Sequence, residues 1–144
     1  MSCPTSDETK AVFDENSGFE AAYIVILIFV GISTITTWIF YTRVGVQGII
    51  LNVIYTIGFI FCIIGIAANS WVSILILTIA LIVDILGAIM MSILLYMDKI
   101  PQDLLDKFPF TPLINKIIFV SFATSQTIIV IVLCLILDAI FAKC

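Results

Sequence analysis

An all-α polytopic membrane protein, a bundle of four transmembrane helices, is the fold this sequence predicts, and three observations predict it. First, the chain of 144 residues is 62 % hydrophobic and only 11 % charged. A soluble domain of that size keeps too much surface to hide so much apolar side chain from water. Second, the apolar residues gather into four stretches, 23–42, 46–68, 71–96 and 117–141. Each reaches the roughly 20 residues a helix needs to cross a hydrocarbon core about 30 Å thick. Third, aromatic residues mark the ends. Tyr23 opens the first stretch, Trp38 and Tyr41 close it, Trp71 opens the third and Tyr96 closes it. Trp and Tyr favour the headgroup level, where one end of the ring system is dry and the other wet.

The elements follow in chain order. Residues 1–20 are polar and acidic, with Asp7, Glu8, Asp14, Glu15 and Glu20 against Lys10. Such a segment is expected to remain a flexible, solubilising tail ahead of a membrane domain at 21–144. Its first ten residues contain neither a basic n-region nor an apolar h-region, so the first span reads as an uncleaved anchor. Residues 43–45 and 69–70 are short links, which makes the helices they join antiparallel neighbours. The link 97–116 is long. Within it Ile100, Leu104, Leu105 and Phe108 recur at helical spacing while Asp103, Asp106 and Lys107 point elsewhere. Pro101 suits a first helical turn, and Pro109 and Pro112 are read as stops. This predicts a short amphipathic helix lying in the interface. Arg43, Lys99, Lys107 and Lys116 fall on one side of the membrane and Lys10 and Lys143 on the other. The basic excess puts the long link in the cytosol and both termini outside it.

Composition also excludes. The net charge is −4 and there is no His, so neither a nucleic-acid surface nor a His-based triad or metal site is expected. No Gly-rich phosphate loop or CxxC pair occurs. The expectation is a non-enzyme without cofactor or metal. Cys62 and Cys134, inside spans, read as small buried hydrophobes. Cys3 and Cys144 leave acylation or a terminal disulfide open.

Asp84 carries the strongest functional signal. It stands near the middle of the third span, where a charged carboxylate costs about 2.5–3.5 kcal/mol or more. No Lys or Arg lies deep in any span to oppose it, so Asp84 is expected to be neutral, or to hydrogen-bond to neutral groups. Gln126 lies at similar depth in the fourth span, with Ser125 beside it. Asn52 and Thr37 are further polar candidates in the second and first spans. Such groups can satisfy one another across helices at about 0.6 kcal/mol each. Small residues, Ala80, Gly87 and Ala88 around Asp84 and Gly58 and Gly65 in the second span, allow close helix packing. Three roles for Asp84 stay open: a polar pin that sets helix register, a docking point for another protein's membrane helix, and a proton or ion site. The pin is the leading one.

Gly31, Thr36-Thr37-Trp38, Asn52, Gly58, Gly65 and Asp84-Ile85 together resemble the angiotensin-receptor-associated protein family, over roughly residues 31–96. The family motif has a His shortly after the acidic residue, where this chain has Gly87. The resemblance implies a regulator of receptor trafficking in endomembranes and the plasma membrane. The leading functional expectation is therefore a membrane accessory or adaptor protein, bound to the lipid bilayer and to other integral membrane proteins, a receptor among them. The alternatives are a small channel or proton-coupled transporter using Asp84, and a structural subunit of a larger membrane complex. Oligomeric state is not legible.

Overall fold

The computed structural model describes residues 5–42, 45–108 and 111–143, apart from the side chains of Gln47, Leu104 and Pro112. Cys3, Arg43, Pro109, Cys144 and the side chain of Leu104, all invoked above, lie outside the described residues. The chain is all-α. Its helices are α1 (Ser6–Glu15), α2 (Ser17–Tyr41), α3 (Val46–Ala67), α4 (Trp71–Tyr96), the single turn α5 (Gln102–Leu105) and α6 (Pro112–Ala142). Four of them, α2, α3, α4 and α6, are long and apolar enough to cross a membrane.

Capping residues explain where these helices begin and end. Asn16 accepts from the amides of Gly18 and Phe19, at 3.1 and 3.4 Å, and starts α2. Ser70 accepts from the Ser73 amide and starts α4. Between α3 and α4, Asn69 takes φ +50°. Asn tolerates this left-handed conformation better than most residues. The Ser70 amide can then reach back to the Gly65 carbonyl at 3.2 Å, closing the end of α3. Pro112, read above as a stop, instead opens α6. Its missing N–H costs nothing in the first turn, and Thr111 caps the helix by accepting from the Ile114 amide. The fourth span is therefore longer than 117–141.

Packing makes α4 the central helix, flanked by α3 and α6, with α2 lying mainly on α3. On α4 the buried residues Ser73, Leu77, Ala80, Leu81, Asp84, Ala88, Ser92 and Leu95 recur at three- and four-residue intervals, one stripe of the helix. Contacts between helix ends set the antiparallel arrangement. Tyr23 near the start of α2 meets Cys62 near the end of α3. Trp71 at the start of α4 packs edge-on against Phe141 at the end of α6. Tyr41 at the end of α2 meets Phe119 near the start of α6. Isoleucines such as Ile28, Ile32, Ile35 and Ile39 of α2 stay exposed on the outer face. In lipid that exposure carries no hydrophobic penalty, because acyl chains are as apolar as the side chains.

Residues 6–20 correct the expectation of a flexible tail. Thr5 and Glu8 form a capping box: the Thr5 amide donates to Glu8 Oε2 at 2.7 Å, and the Thr5 hydroxyl also contacts that carboxylate. Thr9, Val12 and Phe13 then share one face of α1, and all three are buried. Val12 and Phe13 join the main core with Tyr23, Ile136 and Ile140. Phe13 sits 5.4 Å from the Tyr23 ring. Burial of such side chains is worth about 1.5–3 kcal/mol each, enough to order a segment whose other faces are polar. Glu15 also pairs with Lys143, so both ends of the chain meet on one side of the bundle.

Tyr23 is a second correction. It is not an interfacial marker but a fully buried core residue, because α2 starts at Ser17 and carries it inward. Within the long link the expected short helix is the single turn α5. Ile100 and Phe108 are buried against Leu95 of α4, with Leu105, Tyr41 and Phe119 around them. They close the end of the bundle opposite α1.

Candidate functional site: a cavity beside Asp84

Most hydroxyls in the spans are occupied within their own helices. Thr34 donates to the Val30 carbonyl, Thr78 to Ile74, Ser92 to Ala88, Thr124 to Val120 and Thr127 to Ala123, all at 2.7–2.9 Å. This four-back pattern satisfies a Ser or Thr in lipid without a neighbour. It also commits the protons of these hydroxyls within their own helices rather than between helices.

The polar contacts between helices are few and specific. Gln126 Nε2 on α6 donates to the Tyr55 hydroxyl on α3 at 2.8 Å. Tyr55 also engages Ser33 on α2 and shares a cavity wall with Asp84 on α4. Polar residues of α2 and α6, Ser33 and Gln126, thus converge on Tyr55 of α3. Nearer the α5 end, Asn52 Nδ2 donates to the Thr37 carbonyl at 3.2 Å, and Trp38 Nε1 donates to Thr56 Oγ1 at 2.7 Å.

Asp84 departs from this economy. It is only 4 % exposed, yet its Oδ2 has no hydrogen-bond partner among the described residues. The expected pairing with Gln126 is not made: Gln126 turns its Nε2 to Tyr55, and its buried Oε1, like Asp84 Oδ2, has no partner among the described residues. Asp84 instead lines a cavity of about 100 Å³. Thr37, Tyr41, Asn52 and Tyr55 also reach its wall, and Gly87 and Ala88 supply small surfaces on α4. The rest of the wall is apolar or aromatic, with Phe108, Phe119 and Phe122 prominent. The Tyr41 hydroxyl is a second buried polar atom of this wall without a partner.

The small residues set how closely α3 and α4 approach. A Cβ added at Gly58 would stand 3.3 Å from the Ala80 Cβ, and one at Gly87 would stand 3.1 Å from Leu51. At Gly65 it would run into the Tyr23 hydroxyl and meet Ile74 at 3.0 Å. Ser125 is partly buried and does not line the cavity. Asp138 is exposed on α6.

Sequence reasoning passed over Tyr55, Phe119 and Phe122, and read Tyr41 as a span-end marker and Phe108 as a face of the short helix rather than as cavity residues. For Tyr55 a signal existed. It lies well inside the second span rather than at its end, and a buried phenol normally finds a hydrogen-bond partner. No comparable signal marks Phe108, Phe119 or Phe122, because Phe is as common facing lipid as facing a cavity.

The core below Asp84 is dense. Leu77, Leu81, Cys62 and Leu133 are almost completely buried there. The cavity therefore runs from Asp84 toward the α5 end, where Phe108 and Phe119 stand edge to face with centroids 6.1 Å apart. Its chemistry is that of a single acidic group at mid-depth in an aromatic-lined chamber. Among the described residues no cluster of three or more His, Cys, Asp or Glu side chains could hold a metal ion. In comparisons with protein families, curated proteins and solved structures, nothing matches this chain.

Proposed function

We propose that the protein is a small, non-enzymatic, multi-pass membrane transporter that takes a solute into the cavity beside Asp84 and exchanges a proton at that carboxyl. One observation carries this reading: Asp84 is the buried acid of a cavity wall and keeps an oxygen unpartnered, while most other polar groups of the spans are satisfied. A structural pin has the opposite signature, since a residue that sets register does so through the hydrogen bonds it makes. Docking of a foreign membrane helix through Asp84 is disfavoured by its burial inside the bundle. An unpaired buried polar group costs about 1–3 kcal/mol, and groups that bear such a cost cluster at functional sites. The dense packing below Asp84 makes the chamber one-sided, so transport requires the helices to rearrange around it.

Purified full-length protein in liposomes containing a pH-sensitive dye tests this. Wild type should carry protons under an imposed membrane potential, and a well-folded Asp84→Asn variant should carry none. Absence of flux in wild type, together with stoichiometric capture of a membrane protein from mild detergent, would favour the adaptor reading instead.

A further inference from the structure

The cavity constrains the solute as well as the role, and this inference rests on the transporter reading above. We infer that the cavity beside Asp84 binds a small organic ammonium, a protonated amine on a short apolar body. Asp84 lines the chamber with an unpartnered carboxyl oxygen. Among the described residues no Lys or Arg lines it, so an anionic solute would meet an acid and no counter-charge from them. Five aromatic rings, those of Tyr41, Tyr55, Phe108, Phe119 and Phe122, contribute to the wall. Ring faces attract a desolvated cation when it comes within about 6 Å of a centroid. Two of the rings, Tyr55 and Phe122, pack on one another with centroids 5.6 Å apart, on the wall they share with Asp84.

Alkali and divalent ions fit less well. Hard divalent cations take about six to eight oxygen ligands. Here the described lining offers one carboxyl, one side-chain amide oxygen, one alcohol and two phenols, and neutral phenols are poor ligands for hard cations. An ammonium needs fewer acceptors and tolerates apolar walls around its carbon body. Size sets the other limit. A cavity of about 150 Å³ lined by hydrocarbon holds benzene, so the 100 Å³ here suits a body of a few carbons.

The test uses purified full-length protein in nanodiscs and three probes of equal length: n-butylammonium, n-butanol and butyrate. Binding is read by thermal unfolding and by ligand-observed NMR. n-Butylammonium should raise Tm and show saturable binding, while n-butanol and butyrate should bind far more weakly. Asp84→Asn should weaken the ammonium by about tenfold or more, because a charge-assisted hydrogen bond becomes a neutral one. Ala88→Leu, which pushes three carbons into the same space and leaves the acid in place, should abolish it. Should Asp84→Asn fail to fold, the ranking of the three probes and the Ala88→Leu result still decide.

Equal binding of n-butanol and n-butylammonium would overturn the inference and leave a neutral apolar pocket. Binding of none of the three would overturn it in favour of a chamber that holds only water. In either case, a proton flux that disappears in Asp84→Asn keeps the transporter reading alive. Loss of both flux and amine binding ends both.

Discussion

Gln126 on α6 donates a hydrogen bond to the Tyr55 hydroxyl on α3 at 2.8 Å, although the two residues stand far apart in sequence and on helices that are not consecutive. Asp84, close by on α4, takes no comparable bond at Oδ2. The two polar positions are therefore expected to respond differently to mutation. Tyr55→Phe leaves the buried Gln126 amide without its partner and should destabilise the bundle by about 1–3 kcal/mol. Asp84→Leu removes a carboxyl whose buried Oδ2 has no partner among the described residues, and should be neutral or stabilising while abolishing flux. Reversible unfolding in detergent measures both. A marked loss of stability in Asp84→Leu would restore the polar-pin reading.

Gly65 and Tyr23 form a second coupled pair. The Tyr23 hydroxyl donates to the Cys62 carbonyl at 2.7 Å, directly over the place where a Gly65 side chain would stand. Gly65→Ala overpacks this contact, with an expected cost of about 1–3 kcal/mol. Tyr23→Phe removes the obstructing oxygen, so the double variant should lose less than the sum of the two singles. A double-mutant cycle gives the coupling. Strict additivity would mean that α2 shifts away from α3 without strain.

The α1 cap gives a pH-dependent prediction. Hydrogen bonds from the Thr5 side chain and amide hold the Glu8 carboxyl below its ordinary value. A carboxylate depressed in the folded state adds stability above its unfolded value, and that stability is lost as pH falls through the folded one. Docking of α1 should therefore loosen on acidification through and below the normal carboxylate range. Hydrogen exchange at the amides of Val12 and Phe13 would report it. Glu8→Gln retains the cap geometry and should flatten this dependence, whereas an unchanged pH profile in that variant would assign it to another acid.

Topology yields a fourth prediction. Ser6 opens α1 and Gln102 opens α5, and the two lie at opposite ends of the bundle. Basic residues favour the cytosol for the α5 end. In intact cells an impermeant thiol reagent should label Ser6→Cys and spare Gln102→Cys. The reverse pattern would invert the orientation, and labelling of both in sealed cells would mean that the four helices do not all cross.

The sequence by itself determined the class and the spans. Whether a run such as 71–96 can cross a bilayer depends on its length and polarity, which are one-dimensional quantities measured against a fixed hydrocarbon thickness. The depth of Asp84 and the small residues around it were legible for the same reason, since helical rise turns position directly into depth and rotation. Only the tertiary structure decided which groups meet. Thr37 looked available to Asp84, but its hydroxyl donates to the Thr34 carbonyl within α2. Gln126 looked like its partner, but Tyr55 claimed the amide. The acidic segment at 6–20 looked too polar to order, until the face of Thr9, Val12 and Phe13 found Tyr23 and Ile140 at the end of the bundle. Those outcomes depend on the relative rotation and tilt of helices distant in sequence. Such geometry arises from mutual packing and is encoded in no single stretch of the chain.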